Sequence, residues 1–277
     1  MSVRLPAVAG VFYPGDEPSL RRKLASCTPQ AQRGRALALL APHAGYDYSG
    51  PTAGAAYARV EVTPEVVLLC FNHRSVGRPV ALWTEGGWRT PLGTAPIATD
   101  LVDRIRAAFP RADLDEAAFH REHSGEVQVP FLQAARADVR IAPVSLNTHD
   151  RAVLRDFGRA LAQAAGDCLV AATTDLTHCG EGYGVMPPAG KSPGEWAREQ
   201  DALVLDRVRA LDADGFWRVV EERDVTMCGI APTAAMIEYA RARGASSAEV
   251  VAYATSADGE PGADRAVGYP GVIVLSP

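Results

Sequence analysis

The feature that most constrains the fold of this chain is an apolar segment followed within a few residues by a histidine, an arrangement that occurs three times. The segments carry no charged residue, which is typical of buried strands. Because the carboxyl ends of parallel strands lie at one edge of a sheet, where ligands bind in open α/β folds, we expect the three imidazoles to converge there. The segments are Ala36–Ala41 before His43, Val66–Phe71 before His73, and Cys168–Thr174 before His178.

Strand-like and helix-like segments alternate along the rest of the chain, which favours helices packed on a sheet. The chain has 277 residues, of which 47% are hydrophobic and 22% charged, the composition of an ordinary globular protein. We therefore predict one domain over residues 1–277, an α/β sandwich around a mixed, largely parallel sheet. Within it, the Gly-Gly pair of the segment Val80–Thr90 predicts a β-hairpin.

Charge and hydropathy exclude several classes of partner. The net charge of -5 disfavours nucleic acids and anionic membranes, because both require a basic protein surface. No apolar run approaches the ~20 residues of a membrane span, and the first residues lack the apolar core of a secretory signal. A cytoplasmic location is therefore expected. The cysteines are widely spaced without a CxxC pair, which disfavours a disulfide framework and a zinc ribbon.

Two converging histidines indicate a metal site, because neutral imidazole is a common ligand of zinc, copper and iron. His43 and His73 form the first pair, and a catalytic site with an open position needs a third ligand. Spacing alone does not select it, and His178 would complete a three-histidine zinc site. The alternative is a hydrogen-bonded cluster without metal. The other candidate ligands are the carboxylates of Asp47, Asp175 and Glu126 and the thiols of Cys179 and Cys228.

Two loop motifs supply candidate proton-transfer and thiol groups. Asp175 lies three residues before His178, and a carboxylate near an imidazole can fix its tautomer and raise its basicity, as a general base requires. The alternative is an aspartate that caps the following turn. Cys228 precedes a predicted helix, whose dipole is expected to lower the thiol pKa and favour a thiolate ligand or nucleophile. The alternative is an ordinary small residue before a helix.

The segment Glu122-His123-Ser124-x-Glu126 concentrates charge, which by itself is typical of a solvated surface. His120 and His149 lack supporting context, and we expect them at the surface.

A series of motifs also occurs in order along nearly the whole chain. They are AVAGVFYPG at Ala7–Gly15, Pro42-His43-Ala44-Gly45-Tyr46 with Ser49-Gly50, Asn72-His73, Glu122-His123-Ser124 with Glu126, Gln128 and Pro130-Phe131, Thr174-Asp175 with His178, and Cys228-Gly229 with Pro232. This ordered set resembles the MEMO family, whose bacterial and archaeal members are often called AmmeMemoRadiSam system protein B.

The resemblance implies the fold of the class III, non-haem-iron extradiol dioxygenases, which hold iron with two histidines and one glutamate. It implies that His43 and His73 are metal ligands and that Cys228 takes the position of the glutamate. It also implies that His178 is the acid–base residue, with Asp175 beside it. The implied metal is iron or copper, with zinc as a further option, and the family name implies a functional link to a radical-SAM protein.

Five positions near these motifs are predicted to line the pocket. One departure from the family concerns Cys70-Phe71, which stands where the family usually has Gly-Pro. A second is Arg74, whose positive charge either disfavours a metal or binds an anionic substrate. The predicted pocket residues are Tyr46, Asn72, Arg74, His123 and Glu126.

Three functions follow from these features. The first is metal-dependent redox chemistry in a protein related to the extradiol dioxygenases by descent but not by reaction. A soft, oxidisable cysteine ligand favours iron or copper over magnesium or calcium. The second is a binding or scaffold protein that takes an anionic small molecule or a peptide in the same cleft. The third is a cysteine hydrolase, which requires Cys228 and His178 within hydrogen-bond reach.

Overall fold

Strands and helices alternate through the computed structural model, which describes residues 3–260 and 262–276. The strands are β1 (Val3–Arg4), β2 (Ala36–Ala41), β3 (Glu65–Phe71), β4 (Val80–Leu82), β5 (Gly87–Thr90), β6 (Gly93–Pro96), β7 (Asp113–Leu114), β8 (Arg140–Leu146), β9 (Leu169–Thr173), β10 (His178–Gly180), β11 (Glu249–Thr255) and β12 (Arg265–Leu275). The helices are α1 (Glu17–Cys27), α2 (Gly50–Ala58), α3 (Thr99–Ala108), α4 (Val129–Ala135), α5 (Arg151–Ala164), α6 (Pro193–Arg209), α7 (Ala213–Glu222) and α8 (Ile230–Ala242), with 3-10 turns at Glu116–Phe119 and Glu126–Gln128.

A nine-stranded mixed sheet forms the centre of the described part of the chain. Its order is β10-β12-β2-β9-β3-β8-β4-β7, and β11 pairs with β12. The four central strands, β2, β9, β3 and β8, run parallel, whereas β12 and β4 join them in antiparallel pairs. The predicted α/β architecture around a mixed sheet is therefore confirmed.

The three predicted strand–histidine junctions lie next to one another in this sheet. β9 pairs in parallel with both β2 and β3, so that the carboxyl ends of all three strands lie at the same edge. Every residue of β2 and of β9 is buried, because helices cover the sheet and leave these strands no solvated face. The short connections after β2, β3 and β9 therefore bring His43, His73 and His178 to one region.

The predicted hairpin over Val80–Thr90 is wrong. Its first piece, β4, pairs with β8 and β7 in the large sheet. Its second piece, β5, pairs with β1 and β6 in a separate three-stranded sheet. The Gly-Gly pair lets the chain pass from one sheet to the other, with Gly86 at φ 76°, and the antiparallel connection falls between β5 and β6 instead.

No helix within residues 3–260 and 262–276 has the length and apolar character needed to cross a membrane.

Candidate metal centre

Three donor side chains meet at the carboxyl edge of the parallel strands. His43 follows β2 after one proline, His73 follows β3 after one asparagine, and Cys228 lies in the loop between α7 and α8. One donor atom of each residue lies within 4.8 Å of the donors of the other two. Among the carboxylates and thiols considered as the third ligand, the structure brings Cys228 to both histidines.

His43 is 1% exposed and is held at both ring nitrogens. Its Nδ1 lies 2.7 Å from Thr173 Oγ1, and its Nε2 lies 3.0 Å from Cys228 Sγ. Burial lowers the pKa of His43 well below its usual value, and the neighbouring histidines lower it further. The ring is therefore neutral at neutral pH, which is the state that binds a metal.

His73 is oriented by Glu122. Its Nδ1 lies 2.9 Å from Glu122 Oε1, and its backbone N–H donates to Oε2 at 2.6 Å. Backbone N–H groups of His123 and Ser124 also donate to Oε1, each at 2.8 Å. Burial opposes ionisation of Glu122, but the hydrogen bond from His73 and the electrostatic attraction of its ring outweigh this effect and lower the pKa of Glu122 to about 2. The ionised carboxylate accepts the hydrogen bond from Nδ1 of His73, which leaves the lone pair of Nε2 available to bind a metal.

Cys228 lies against the backbone that follows β9. Its Sγ accepts a hydrogen bond from the Asp175 N–H at 3.2 Å, and its own N–H donates to the Asp175 carbonyl at 3.2 Å. The next residue must be glycine, because a Cβ on Gly229 would lie 2.4 Å from the Thr173 carbonyl oxygen. The chain thus approaches the end of β9 closely enough to bring the thiol to His43.

The expected low pKa of the Cys228 thiol is wrong for the metal-free protein. Burial raises this pKa above its usual value, and the nearby Asp175 carboxylate raises it further. These effects outweigh any attraction from the following helix, so the thiol is protonated and forms a neutral pair with His43. A bound cation would reverse this, because metal binding displaces the thiol proton.

His178 presents one nitrogen with a free lone pair. Its Nδ1 lies 2.8 Å from the Leu176 carbonyl oxygen and 3.0 Å from that of Thr226. Since carbonyl oxygens only accept, Nδ1 carries the proton of the neutral ring and Nε2 is the basic atom. Asp175, predicted to orient this ring, instead accepts a hydrogen bond from the His43 N–H at 2.7 Å. Burial raises the pKa of Asp175 to about 6.

A cleft of about 560 Å³ opens over these groups. His123 lines it and stacks on His73 with 4.4 Å between ring centroids, while Phe12 packs edge-on against His123 at 4.8 Å. Burial, helped by His73, lowers the pKa of His123 to about 4, so this ring is neutral. The polar lining of the cleft includes His43, His73, His123, Asp175 and His178, and its aromatic lining is formed by Phe12, Tyr48, Tyr183 and Tyr269.

Two of the predicted pocket residues belong to the interior instead of the cleft. Tyr46 is buried and donates its hydroxyl to the Val127 carbonyl. Asn72 is buried and donates its amide to the Val76 carbonyl and to Ser145 Oγ. Both stabilise the connections that follow their strands, which places their polar atoms away from the cleft.

Several other residues predicted to bind a metal or to line the pocket also lie elsewhere. Glu126 is buried and pairs with Arg4 at 2.7 Å, so it is neither a metal ligand nor a pocket residue. Arg74 is exposed, and its Nε contacts the Arg121 carbonyl outside the cleft. Two other candidate ligands are also elsewhere: Asp47 pairs with Lys23 at 2.7 Å, and the Cys179 thiol donates to the Pro193 carbonyl.

Sequence reasoning missed the residues that orient the donors. Glu122 and Ser124 were expected on a solvated surface, yet they are 3% and 0% exposed. Thr173 and Gln128 were assigned no role, although Thr173 contacts His43. The signal that could have pointed to them is that Glu122 and Gln128 occur in the same set of motifs as the histidines. Nothing in the local pattern, however, indicates that these polar residues are buried. His120 and His149 are exposed, as expected.

The donor set fits a metal ion by its chemistry. Two imidazole nitrogens and one sulfur match the preferences of zinc, copper and iron, and differ from the oxygen donors that magnesium and calcium prefer. Nδ1 of each histidine forms a hydrogen bond with a protein side chain, which is the usual support of a metal-ligating ring. His43, His73 and Cys228 are therefore the residues that would hold the ion.

Glu122→Gln is expected to weaken metal binding about 10–100-fold. The amide nitrogen would replace one carboxylate oxygen that accepts hydrogen bonds from His73, so the ring loses its support. Competition with a chelator measures the affinity, and Glu17→Gln on the exposed part of α1 is the matched control. Unchanged affinity in a folded Glu122→Gln protein would show that His73 does not depend on this carboxylate.

Known proteins resemble this chain over nearly its whole length. A family model described as Memo-like protein matches residues 4–273. A MEMO1 family protein of Methanothermobacter thermautotrophicus is 37% identical over 284 residues, covering 96% of this chain and 98% of the relative. A MEMO1 family protein of Aquifex aeolicus is 36% identical over 281 residues, covering 99% of this chain and 100% of the relative.

A solved structure supports the fold. The crystal structure of an uncharacterized protein from Escherichia coli K12 matches 85% of this chain and 99% of its own, with a TM-score of 0.55. Its sequence identity is 16%, so the likeness concerns the fold alone.

Proposed function

The chain belongs to the Memo-like protein family, and we propose that it is a metal-dependent redox protein whose iron or copper centre is formed by His43, His73 and Cys228. The observation that carries this proposal is the convergence of the three donor atoms within 4.8 Å, with His43 and His73 lining an open cleft. A bound ion with three protein ligands retains open positions for an exogenous ligand.

The donor chemistry supports iron or copper over the alkaline-earth metals. Thiolate is a soft ligand that stabilises copper(I) and iron, and imidazole suits both metals. When bound, such an ion would supply one-electron redox chemistry to a molecule in the cleft. Zinc also suits the donor set and would leave the site without redox chemistry.

The surrounding residues supply positioning and proton transfer. His178 Nε2 keeps a lone pair because two carbonyls hold its Nδ1, so it can accept a proton from a molecule in the cleft and return it. The neutral ring of His123 adds a second polar surface beside His73. Phe12 and the cleft tyrosines provide apolar walls against which a planar molecule can pack.

Anion binding and hydrolysis each lose the side-chain contact that favoured them, whereas binding of a peptide in the cleft stays a prediction. Anion binding rested on Arg74, which lies outside the cleft, and the cleft residue Arg265 is paired with Asp264 at 3.3 Å. Hydrolysis required Cys228 beside His178, but the thiol contacts His43 and burial keeps it protonated.

Oxygen uptake tests the redox proposal. Protein loaded anaerobically with copper or iron and supplied with ascorbate should consume dioxygen faster than metal-free protein. His178→Gln should lower this rate about 100-fold while retaining the metal, because proton transfer by a positioned histidine contributes on this scale. His149→Gln, at an exposed position, is the control. Loaded protein that consumes oxygen no faster than metal-free protein would refute the redox function.

A further inference from the structure

A buried hydrogen-bond chain connects the candidate ligand His43 to a tyrosine in the helix layer. His43 Nδ1 lies 2.7 Å from Thr173 Oγ1, which lies 3.3 Å from Gln128 Nε2. Gln128 Oε1 accepts a hydrogen bond from the Tyr57 hydroxyl at 3.1 Å. Each of these four side chains is at most 2% exposed, so protein groups and not bulk water determine their hydrogen bonds.

The partners of Gln128 determine which way its amide points. Gln128 Nε2 lies 2.8 Å from the Pro42 carbonyl oxygen, which can only accept. The nitrogen must therefore face Pro42, and its second hydrogen is directed at Thr173. Oε1 then faces Tyr57, whose hydroxyl donates to it. The reversed amide would place two acceptors against each other at Pro42, so one orientation is favoured.

The backbone of Gln128 is also anchored. It ends the 3-10 turn Glu126–Gln128 and precedes α4 directly. At the start of that turn, Glu126 forms the buried ion pair with Arg4 and accepts hydrogen bonds from Ala7, Val8 and Tyr13. A long side chain on a turn held in this way can support another group with little loss of conformational entropy.

A metal on His43 makes a specific demand on Thr173. If Nε2 binds the ion, Nδ1 carries the ring proton and needs an acceptor. Thr173 Oγ1 is the acceptor at hydrogen-bond distance, and its second lone pair receives the hydrogen of Gln128 Nε2. Donation from Gln128 thus holds the hydroxyl oxygen at the position from which it accepts the Nδ1 proton.

We propose that Gln128 is a positioning residue of the metal centre, acting on His43 through Thr173. This inference rests on the proposed function, because it takes His43 as a metal ligand. Glu122 holds His73 directly, whereas His43 is held through an uncharged relay of a hydroxyl and an amide. The two imidazoles therefore have separate supports from the same segment of the chain, because Glu122 and Gln128 lie six residues apart in one motif.

Co(II) affinity measures this role without requiring a substrate. Cobalt is a suitable probe because its visible absorption reports thiolate ligation, and competition with a chelator gives its affinity. The variants are Gln128→Met, which removes the amide at similar length, Thr173→Val, and the double variant. Gln133→Met is the matched control, since the amide of Gln133 contacts Thr90 and the Gly93 carbonyl instead of Thr173. Unfolding of each metal-free variant is measured separately.

Gln128→Met and Thr173→Val should each lower cobalt affinity about 10–100-fold, the usual effect of removing a group that orients a metal-ligating histidine. The double variant should lose no more than Thr173→Val alone, because Gln128 acts through the hydroxyl. Gln133→Met should bind cobalt as the wild type does. If Gln128→Met does not fold, Gln128→Asn is used, since its shorter amide cannot reach Pro42 and Thr173 together and the same loss is expected.

Gln128→Met with wild-type cobalt affinity, whatever its stability, would overturn the proposal and leave Gln128 a structural residue. Additive losses in the double variant would also overturn it, because they would show an effect that bypasses Thr173. Wild-type protein that binds no cobalt would refute the metal centre itself and this role with it, which distinguishes failure of the proposed function from failure of the inference.

Discussion

Arg4→Met is expected to lower the free energy of unfolding by about 3–5 kcal/mol, the usual cost of leaving a buried charge without its partner. Arg4 Nη1 lies 2.7 Å from Glu126 Oε2, and the two side chains are 3% and 1% exposed. Methionine would retain most of the apolar contact of Arg4 but would leave the Glu126 carboxylate without its counter-ion. The loss is therefore electrostatic, with little change in packing.

The same ion pair secures the N-terminal segment that forms one wall of the cleft. Glu126 accepts hydrogen bonds from the backbone of Ala7 and Val8, at 2.7 and 3.0 Å, and from the Tyr13 hydroxyl at 2.8 Å. Arg4 Cζ lies 4.6 Å from the Trp88 ring centroid. Loss of Arg4 should accordingly loosen the segment that carries Phe12.

Denaturant unfolding of metal-free protein measures the effect, with Arg21→Met as the matched control. Arg21 pairs with Glu17 on exposed α1, where such a pair contributes about 0.3–0.5 kcal/mol. Hydrogen exchange at the Ala7 and Val8 amides should accelerate in Arg4→Met alone. If Arg4→Met were no more destabilising than Arg21→Met, the buried pair would not anchor this segment.

The junctions between strands and histidines could be predicted because they depend on local pattern. An uncharged apolar run such as Ala36–Ala41 indicates a strand buried on both faces, and its end marks the sheet edge where polar residues gather. β2 begins and ends at the predicted residues, and β3 and β9 differ from the prediction by a residue at their ends. The prediction that their histidines lie near one another followed from parallel pairing.

The burial of charged residues could not be predicted, because it depends on distant partners. Glu122 and Glu126 occupy a segment that looks solvated, but Arg4, which pairs with Glu126, lies 122 positions away in the sequence. Besides its neighbours His123 and Ser124, Glu122 contacts the ring and backbone of His73, which lies on a different strand connection. No local pattern contains these contacts.

The third metal ligand likewise could not be identified from the spacing of residues in the sequence. Several carboxylates and thiols lie near strand ends or in loops, and only the resemblance to the MEMO family selected Cys228 among them. These candidates were Asp47, Asp175, Glu126, Cys179 and Cys228. The structure brings its sulfur to 3.0 Å from His43 Nε2, through the glycine that permits close approach to β9. The hairpin error has a related cause, since β4 and β5 find partners in different sheets.

Cys228→Ala and His43→Ala are each expected to abolish stoichiometric metal binding. Removal of either leaves two donors, and the sulfur is the donor that selects soft metals. Cys228→Ala has a small structural cost, because the thiol is a small side chain whose partners in the metal-free protein are His43 and the Asp175 backbone. If this variant loses the metal, the cause would therefore be the missing ligand and not unfolding of the protein.

Cys179→Ala and His149→Ala are the matched controls. Cys179 is a buried cysteine whose thiol contacts the Pro193 carbonyl, and His149 is exposed. Both variants should retain the metal content of the wild type, because neither residue lies with the three donors. Thermal unfolding of each metal-free protein confirms that the variants compared are folded.

Metal content per chain, measured on anaerobically prepared and reconstituted protein, tests the metal centre most directly. We predict one iron or copper ion per wild-type, Cys179→Ala and His149→Ala chain, and none retained by folded Cys228→Ala or His43→Ala. Wild-type protein without bound metal, or folded Cys228→Ala and His43→Ala proteins that retain it, would contradict a centre formed by His43, His73 and Cys228.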